Sequence, residues 1–570
     1  MAKVVELEIK HFRKFEDLKC TFGMTSLVCL IGRGDAGKST LLDALSYVLS
    51  PSRFVQVSDY DFTGCDTTTP IQIRVVVVEF DESLLRADKY GYYQCGWDEA
   101  SNQLCDVEQG DEKIQALIIE LTIDASLEPK WEVVNPVSGE RKMIGFKDRS
   151  LLNVSLISDY LNRHFAWANG SPLATLTHEA GEELDQGVLQ KISRMVRAAA
   201  DGMDFGNFGE ILSSISSNAG ELGAEAGTLR AAFDIKQMAI RDGAVCLHDE
   251  HKLPLRLRGK GSKRLLSVAI QAAVSGDTGI ALIDEVEQGL EPDRVRSFVH
   301  TLMRRTKGQV FLTTHSQNVL VEVNARNVFW VRDEKVMHLT EECQGLLRKF
   351  PAAFFGKKIV LCEGKTELGF CKALDEYLNE KDQQNFSRGG VVLVMGRGDE
   401  FKKNAESFLK LGVKILLFCD ADCAEQNAWK EELKKKGVKI VSWGNGDSIE
   451  EGLVRDLPDK AVASLLGHAA DLKGNEMDAE SARRLICDGV RGEGGEIKVE
   501  HLFNASSYDS NLRAAIGRAA KKKGNNGHWF KTETGGGVLG RLVCEYVSSL
   551  GAGCCILNNV QLIFDWIKDA

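Results

Sequence analysis

The chain has 570 residues, of which 44% are hydrophobic and 27% are charged, and its formal net charge is −11. This length predicts two or three domains with ample core-forming material, and the composition is typical of a globular protein. The negative charge excludes a basic footprint over the whole chain. Nucleic-acid binding would therefore need local basic patches, or metal ions that bridge carboxylates to phosphates.

The sequence gives no indication of membrane insertion or export. No uninterrupted apolar run approaches the roughly 18 residues of a membrane span, and the N-terminus lacks a signal-peptide pattern. The fifteen cysteines are scattered through strand-like runs without metal-ligand spacing, which indicates reduced thiols. We therefore expect a cytoplasmic protein that does not contact membranes.

A basic, aromatic turn follows the first predicted strand, which covers residues 4–9. The turn contains Arg13, whose guanidinium can stack on a base or pair with a phosphate. A solvated surface arginine is an equally good interpretation at this point.

The strongest motif is a phosphate-binding loop between an apolar strand at 26–31 and a helix. Its glycines let the backbone point N–H groups at phosphate oxygens, and the N-terminal end of the helix adds to the anion site. Lys38 would reach the β- and γ-phosphates, and the Ser39 hydroxyl would be a ligand of Mg²⁺. We predict that ATP binds through Gly32, Gly34, Asp35, Ala36, Gly37, Lys38, Ser39 and Thr40.

The region from about 155 to 245 is predicted to be a helical insert. Apolar residues recur there at three- and four-residue steps and form one stripe, which several glycines weaken. Such a stripe is more often core than partner surface, but its position between two nucleotide motifs suits an arm used for dimerisation. The stripe consists of Phe208, Ile211, Ile215, Ala219, Leu222, Ala226, Leu229 and Phe233.

Three further motifs extend the nucleotide site. Asp284 and Glu285 end an apolar strand, where Asp284 would hold Mg²⁺ through water and Glu285 would orient the attacking water. A strand over 309–314 delivers His315 to a position from which it can sense the γ-phosphate. Between these motifs and the insert, a glycine-basic loop opens a helix and includes Gly259, Gly261 and Ser262.

A second run of strands begins near residue 357 and has a β-α-β-α-β rhythm. This rhythm predicts a parallel sheet, in which the carboxyl ends of the strands gather the functional side chains. Glu363 ends one strand, and Glu367 lies one helical turn further on. Asp420 and Asp422 follow a later strand. Carboxylate oxygens suit Mg²⁺ or Mn²⁺, and two such ions can clamp the attacking and leaving oxygens of a phosphodiester.

Two later residues could complete this acidic site. Glu450 follows another strand and could join the metal cluster. Lys531 precedes a helix and could stabilise the negative charge that develops on the scissile phosphate. For both residues, an ordinary surface position is nearly as good an interpretation.

The first half of the chain resembles the ATPase heads of the ABC type, a group that contains SMC and RecF proteins. The resemblance rests on the phosphate loop, on Asp284 with Glu285, and on His315 as the switch histidine. It implies that the Gly-rich signature loop of one subunit completes the ATP site of another, and the loop at 259–262 matches that signature. Arg258 replaces the serine usual before the signature glycines, so the contact in trans to the γ-phosphate would be made differently.

The second half resembles the Toprim domain of topoisomerases, primases and certain nucleases. An ATPase head followed by a Toprim domain is similar to the OLD (overcoming lysogenization defect) family of nucleases, which includes the nuclease subunit of the Gabija phage-defence system and some retron effectors. The resemblance implies an α/β fold, with an ABC-type ATPase domain over 1–345, a dimerisation insert at about 155–245, and a Toprim nuclease domain over 346–570.

The same resemblance implies partners. It implies a homodimer or larger assembly through the ATPase domain, and metal-dependent cleavage of double-stranded DNA by the Toprim site. It also implies, in many cases, a partner encoded alongside, such as a helicase or a retron reverse transcriptase with its DNA product.

Three functions are compatible with these motifs. We expect an ATP-regulated, Mg²⁺- or Mn²⁺-dependent DNA endonuclease or nickase of prokaryotic antiviral defence, in which nucleotide occupancy of the head controls access of DNA. An alternative is a non-nucleolytic ATPase clamp of the RecF or SMC kind, which would need no acidic cluster. A further alternative is a nuclease that cuts RNA or tRNA. The expected mechanism is two-metal hydrolysis by Glu363, Glu367, Asp420 and Asp422.

Overall fold

The computed structural model describes residues 2–105, 113–157, 164–167, 171–179, 186–201, 210–215, 245–275, 279–305, 308–381, 383–421, 424–474, 477–494, 498–522, 528–551 and 553–569. The chain divides into two compact units. The first comprises 1–30, 35–323 and 327–338, and the second comprises 31–34, 324–326 and 339–570. The boundary predicted between 345 and 346 stays a prediction. None of the described helices is long and apolar enough to cross a membrane.

The first unit is built on two sheets. Its described strands are β1 (Lys3–Phe12), β2 (Phe15–Thr21), β3 (Leu27–Ile31), β4 (Ile71–Val78), β5 (Cys95–Asp98), β6 (Gln103–Cys105), β7 (Ile114–Ile123), β8 (Pro129–Val134), β9 (Arg141–Met143), β10 (Val154–Ile157), β11 (Ile280–Ile283), β12 (Gln309–Thr313), β13 (Val328–Arg332) and β14 (Lys335–His338). One sheet has the order β2-β1-β4-β7-β5-β6, and β8 pairs with β7 and β9 with β8. Its pairings are antiparallel. The other has the order β10-β11-β12-β3-β13-β14.

The second of these sheets carries the nucleotide motifs. Its strands β10, β11, β12 and β3 run parallel, so their carboxyl ends lie at one edge. Every residue of β3 and β12 is buried, as expected for the centre of a parallel sheet. Strand β10 corrects one expectation, because the predicted helical insert starts inside it. Residues 154–157 satisfy their backbone groups on β11 instead.

A single buried glutamine joins the two sheets. The side-chain oxygen of Gln309 accepts the N–H of Val4 at 2.7 Å, and its Nε2 donates to Val4 O at 2.9 Å and to Thr25 O at 3.0 Å. Gln309 is fully buried at the start of β12. Its amide therefore links β1 of the antiparallel sheet to the nucleotide-binding sheet.

Helices cover the sheets of the first unit. The helix after the phosphate loop buries Leu41, Leu45 and Val48 in a core that both sheets share. The α-helices described in this unit are Lys38–Val48, Phe146–Ser150, Pro172–Glu179, Gln186–Asp201, Lys260–Ser275, Pro292–Arg305 and Gln317–Glu322.

Little of the predicted insert is described. Within it lie the helices Pro172–Glu179 and Gln186–Asp201, and its two ends are joined where the Trp167 N–H donates to Val245 O at 2.9 Å. Ile211 and Ile215 are exposed rather than core. The remaining members of the predicted stripe, Phe208, Ala219, Leu222, Ala226, Leu229 and Phe233, lie outside the described residues.

The second unit contains a parallel sheet with the order β16-β15-β17-β18. These strands are β15 (Lys358–Cys362), β16 (Val391–Met395), β17 (Lys414–Phe418) and β18 (Lys439–Val441). The α-helices are Gln344–Lys349, Lys365–Glu380, Phe401–Lys410, Ala424–Lys435, Ile449–Asp456, Asp459–Gly474, Ala479–Gly492, Val499–Phe503, Ser510–Lys521, Glu533–Tyr546 and Cys555–Lys568. The predicted α/β fold class and the parallel sheet after residue 356 are confirmed.

Two helices of the second unit touch through glycines. A Cβ on Gly369 would lie 1.9 Å from the carbonyl oxygen of Glu533, and a Cβ on Gly536 would lie 2.0 Å from that of Thr366. The helices Lys365–Glu380 and Glu533–Tyr546 can approach this closely only because these positions lack side chains. The contact brings residues just before 533 next to the first turn of the helix that starts at 365.

We expect Gly369→Ala to lower the free energy of unfolding by about 1–3 kcal/mol, because overpacking forces the two backbones apart. Gly467→Ala is the matched control. A Cβ at Gly467 meets no atom within 4 Å, and alanine is favoured over glycine inside a helix by about 0.5–1 kcal/mol. Urea denaturation followed by fluorescence measures both variants. Equal midpoints for the two would contradict the close-contact explanation.

Candidate nucleotide and metal sites

The phosphate loop ends in a glycine that no other residue can replace without strain. Gly37 has a φ of 106°, and a Cβ there would lie 2.5 Å from the ring of Phe15. The helix begins at Lys38, whose side chain is almost completely buried. Burial lowers the pKa of Lys38 to about 8, against the opposing effect of nearby carboxylates, Asp284 first among them. An anionic phosphate would offset this desolvation.

Asp284 lies where a magnesium ligand is expected. It follows β11, and its Oδ1 accepts the hydroxyl of Ser39 at 3.1 Å and that of Thr313 at 2.6 Å. The Thr313 hydroxyl in turn accepts the N–H of Glu285 at 2.7 Å, and Glu285 has a left-handed backbone with φ 47°. The hydroxyl–carboxylate pair of Ser39 and Asp284 is an oxygen donor set that fits Mg²⁺.

The structure adds Glu287, which sequence reasoning missed. Its carboxylate accepts the Thr314 hydroxyl at 2.7 Å and the His315 N–H at 2.6 Å. Glu287 therefore ties the segment after β11 to the segment after β12. Burial lowers the pKa of His315, and the positive charge of Lys38 acts in the same direction. The sequence feature that could have indicated Glu287 is its position, as an acidic residue two positions after the pair Asp284-Glu285.

Arg13 is engaged by two carboxylates in this structure. Its Nη1 lies 2.5 Å from Asp43 Oδ2, and its Nε lies 2.9 Å from Asp61 Oδ1. The guanidinium also lies 4.9 Å from the ring centroid of Phe12. To contact a nucleotide, Arg13 would have to exchange at least one of these partners.

In the glycine-basic loop, close packing requires a glycine at position 261. A Cβ on Gly261 would lie 2.2 Å from the carbonyl oxygen of Gly289, whereas one on Gly259 would meet nothing within 4 Å. The helix begins at Lys260, so Ser262 lies in its first turn. Arg258, the departure from the signature, pairs with Asp249 at 2.8 Å.

In the second unit, strand ends bring Glu363 and Asp420 together. They follow β15 and β17, which are neighbours in the sheet. The N–H of Asp420 donates to Glu363 Oε2 at 3.1 Å, and Asp420 Oδ1 accepts the N–H of Ile449 at 2.8 Å. Burial raises the pKa of Asp420, and the negative charges of Glu367, Glu450 and Glu363 act in the same direction.

Glu367 caps its own helix while facing the same cluster. Its Oε2 accepts the N–H of Gly364 at 2.8 Å. Burial raises the pKa of Glu367 to about 7, with Glu450 and Glu363 raising it further and Lys531 opposing the shift. Such a shift is typical of a carboxylate that is buried first of all and also lies near like charges.

Lys531 provides a counter-charge for these carboxylates. Its Nζ lies 3.3 Å from Glu450 Oε1 and 3.7 Å from Asp420 Oδ2. Burial would lower the pKa of Lys531, but the carboxylates outweigh burial and the pKa is raised. The glycine contact between helices explains its placement, because Lys531 precedes the helix that packs against the first turn containing Glu367.

The donor chemistry of this cluster fits a hard divalent cation. Glu450 is fully buried, and its Oε1 accepts no hydrogen bond among the described residues. The carboxylates of Glu367, Asp420 and Glu450 act on the ammonium of Lys531, and Glu363 adjoins Asp420 in the same cluster. In the described part of the chain no three potential ligands are already arranged around a common metal position. Backbone N–H groups and Lys531 take up several of the carboxylate oxygens instead.

The second aspartate of the Asp-x-Asp motif, Asp422, lies outside the described residues. Its predicted role as a ligand stays a prediction. The other predicted residues of the acidic site, Glu363, Glu367, Asp420, Glu450 and Lys531, lie together.

Three family models match parts of this chain. An AAA ATPase domain model matches 3–131, and a model described as AAA domain, putative AbiEii toxin, Type IV TA system matches 230–322. A model described as overcoming lysogenization defect protein-like, TOPRIM domain matches 354–422. An AAA-type ATPase domain and an OLD-like TOPRIM domain share this chain. The resemblance inferred from the motifs is confirmed for both domains.

Two solved structures are similar to the chain at low identity. One is an Smc head bound to the C-terminal winged-helix domain of ScpA, with 15% identity, a TM-score of 0.35, and coverage of 60% of this chain and 98% of the other. The second is an Smc head with an extended coiled coil bound to the C-terminal domain of ScpA from Pyrococcus furiosus, with 12% identity, a TM-score of 0.36, and coverage of 62% and 100%. No curated protein matches the chain.

The TOPRIM model ends before Glu450 and Lys531, yet the structure places both residues at the acidic site. From the sequence, an ordinary surface position is nearly as good an interpretation for both, because neither lies within a short motif. Their signal is three-dimensional, because one comes from the helix Ile449–Asp456 and the other from the turn before Glu533.

We expect Glu287→Ala to slow ATP hydrolysis by about tenfold, with nucleotide binding little changed. The variant leaves the hydroxyl of buried Thr314, and the N–H of His315, without the Glu287 acceptor. Loss of the partner of a buried donor costs about 1–3 kcal/mol. Steady-state phosphate release and fluorescent-nucleotide binding measure the two effects. Glu291→Ala is the control, because Glu291 is exposed and its carboxylate pairs with Arg294 at 3.3 Å, on the surface of the helix Pro292–Arg305. Parent-like hydrolysis by Glu287→Ala would contradict the assigned role.

Proposed function

We propose that this chain is an ATP-regulated, divalent-metal-dependent DNA endonuclease or nickase. The observation that carries the proposal is the gathering of Glu363, Glu367, Asp420 and Glu450 in one cluster at the carboxyl end of the TOPRIM sheet, with Lys531 as a counter-charge. A purely mechanical ATPase clamp has no use for buried carboxylates that repel one another. Phosphodiester hydrolysis does, because divalent cations neutralise the charge of the reacting phosphate.

Each residue of the cluster has a proposed role. Glu363, Glu367, Asp420, Asp422 and Glu450 would hold Mg²⁺ or Mn²⁺, which supplies Lewis-acid chemistry when bound. Lys531 would donate to a non-bridging oxygen of the scissile phosphate and stabilise the charge that develops there. Lys531 can exchange its contacts with Glu450 and Asp420 for a phosphate once metal ions balance those carboxylates.

The ATPase domain is proposed as the regulator of cutting. Gly32, Gly34, Asp35, Ala36, Gly37, Lys38, Ser39 and Thr40 would bind ATP, with Ser39 and Asp284 on Mg²⁺. Glu285 would orient the attacking water, and His315, held by Glu287, would respond to the γ-phosphate. Arg13 and the loop containing Gly259, Gly261 and Ser262 would join when nucleotide and a second subunit are present.

We also propose a homodimer or larger assembly formed through the ATPase domain. Exposed apolar side chains on the helix Gln186–Asp201 support this proposal: Val188, Ile192, Met195 and Val196. The proposed setting is prokaryotic antiviral defence, in the cytoplasm, with a co-encoded helicase or retron reverse transcriptase as a candidate partner. The resemblance to OLD-family nucleases supports that setting.

We expect Asp420→Ala to abolish cleavage of supercoiled plasmid in Mg²⁺ or Mn²⁺, because the variant removes a carboxylate at the centre of the cluster. Agarose gels that separate nicked, linear and supercoiled DNA provide the measurement. Glu431→Ala, an exposed carboxylate on the following helix, should cut like the parent. Parent-like cutting by Asp420→Ala would contradict the assignment of the active site. Cleavage of matched RNA but not of DNA would show that the substrate is RNA.

We expect Lys38→Ala to uncouple cutting from ATP while the metal site survives. The variant removes the buried ammonium of the phosphate loop, so the cleavage rate should no longer respond to ATP. Mn²⁺ binding, measured by the loss of the free-ion electron paramagnetic resonance signal, should equal that of the parent. If Lys38→Ala also abolished Mn²⁺ binding, the proposed division between regulator and cutting site would be wrong.

A further inference from the structure

A buried lysine behind the acidic cluster is not used by the proposed mechanism. Lys430 lies on the helix Ala424–Lys435 and is only 3% exposed. Its Nζ donates to the main-chain carbonyl of Asp420 at 2.5 Å, and it also lies close to the thiol of Cys419. A buried ammonium is costly unless it has hydrogen-bond acceptors, so its position must be fixed by the backbone that it contacts.

A second side chain of the same helix holds the next carbonyl. Asn427 Nδ2 donates to Ala421 O at 3.1 Å. Asn427 and Lys430 are three residues apart and therefore lie on one face of their helix. Together they hold two consecutive carbonyl groups, those of Asp420 and Ala421, in the first two positions of the Asp-x-Asp segment.

The other polar groups of this segment are held from different elements. The N–H of Asp420 donates to Glu363, and its side chain accepts the N–H of Ile449. The N–H of Ala421 donates to Asp447 O at 3.0 Å. Among the described groups of Asp420 and Ala421, the two carbonyls are the ones held by the helix Ala424–Lys435, so this helix constrains the backbone of these two residues.

We propose that Lys430 and Asn427 are positioning residues of the metal site. They orient the backbone of Asp420 and Ala421 so that the carboxylate of Asp420 meets a divalent cation, and the ammonium of Lys430 adds positive charge behind these two residues. Neither residue touches metal or substrate. The inference rests on the proposed function, since it assigns these residues to the metal-binding part of that function.

The test measures Mn²⁺ binding to the full-length chain in the absence of nucleic acid. Lys430→Met keeps the length of the side chain but removes its charge and donors. Loss of a group that orients metal ligands typically weakens metal affinity by about 10–100-fold, and we expect at least the lower value. Lys430→Arg retains charge and donors and should recover most of the affinity. Asn427→Ala should weaken binding in the same direction.

Lys434→Met is the matched control on the same helix. Lys434 is partly exposed and pairs with Glu431 at 2.7 Å, away from the carbonyls of Asp420 and Ala421. It should bind Mn²⁺ like the parent. Thermal unfolding of the metal-free variants is measured alongside, because weaker binding at an unchanged unfolding temperature separates positioning from general stability.

The outcomes distinguish this inference from the function on which it rests. Parent-like Mn²⁺ affinity in Lys430→Met would overturn the inference and leave the nuclease assignment intact. If Lys430→Met fails to fold, the Mn²⁺ affinity of Asn427→Ala is used instead, and a parent-like affinity would again overturn the inference. A parent chain that binds Mn²⁺ but cuts no nucleic acid would overturn the proposed function, while weaker binding in the variants would still support the inference. A parent chain that binds no Mn²⁺ would overturn both.

Discussion

The second unit depends on keeping like charges together in a place largely closed to water. Carboxylates repel one another and lose hydration when they are buried, so a fold that gathers four of them must provide compensating groups. Backbone N–H groups of Gly364, Asp420 and Ile449 supply part of this compensation. The ammonium of Lys531 supplies a further part, and its approach to the cluster depends on the glycines that let two helices meet at backbone contact.

The two candidate sites use the same plan with different supports. In each, functional side chains follow adjacent parallel strands, and neighbouring polar groups fix their direction. In the ATPase domain, hydroxyl groups of Ser39 and Thr313 hold Asp284, and these neutral donors suit a single ion beside a phosphate. In the TOPRIM domain the supporting groups include the ammonium groups of Lys430 and Lys531. Positive charge suits this site because it holds more carboxylates.

The sequence predicted those parts of the structure that short-range patterns determine. Buried apolar runs gave the strands β3, β12, β15 and β17, and the polar residues that end them gave most of the site. Patterns of this kind could not reveal Glu287 or Lys430, because their roles depend on which carbonyl or N–H group lies opposite in the folded chain. They also missed β10, a short strand whose neighbour β11 lies more than a hundred residues away. For the same reason, the sequence could not decide whether Glu450 and Lys531 belong to the acidic site.

The amide of Gln309 has a consequence for how the first unit comes apart. Three backbone groups of Val4 and Thr25 find their partners on this one buried side chain. Separating the antiparallel sheet from the nucleotide-binding sheet would expose both groups of Val4 at once, together with the core that the two sheets share. The two sheets should therefore exchange their amide hydrogens as a single cooperative unit, although one is antiparallel and the other is mainly parallel.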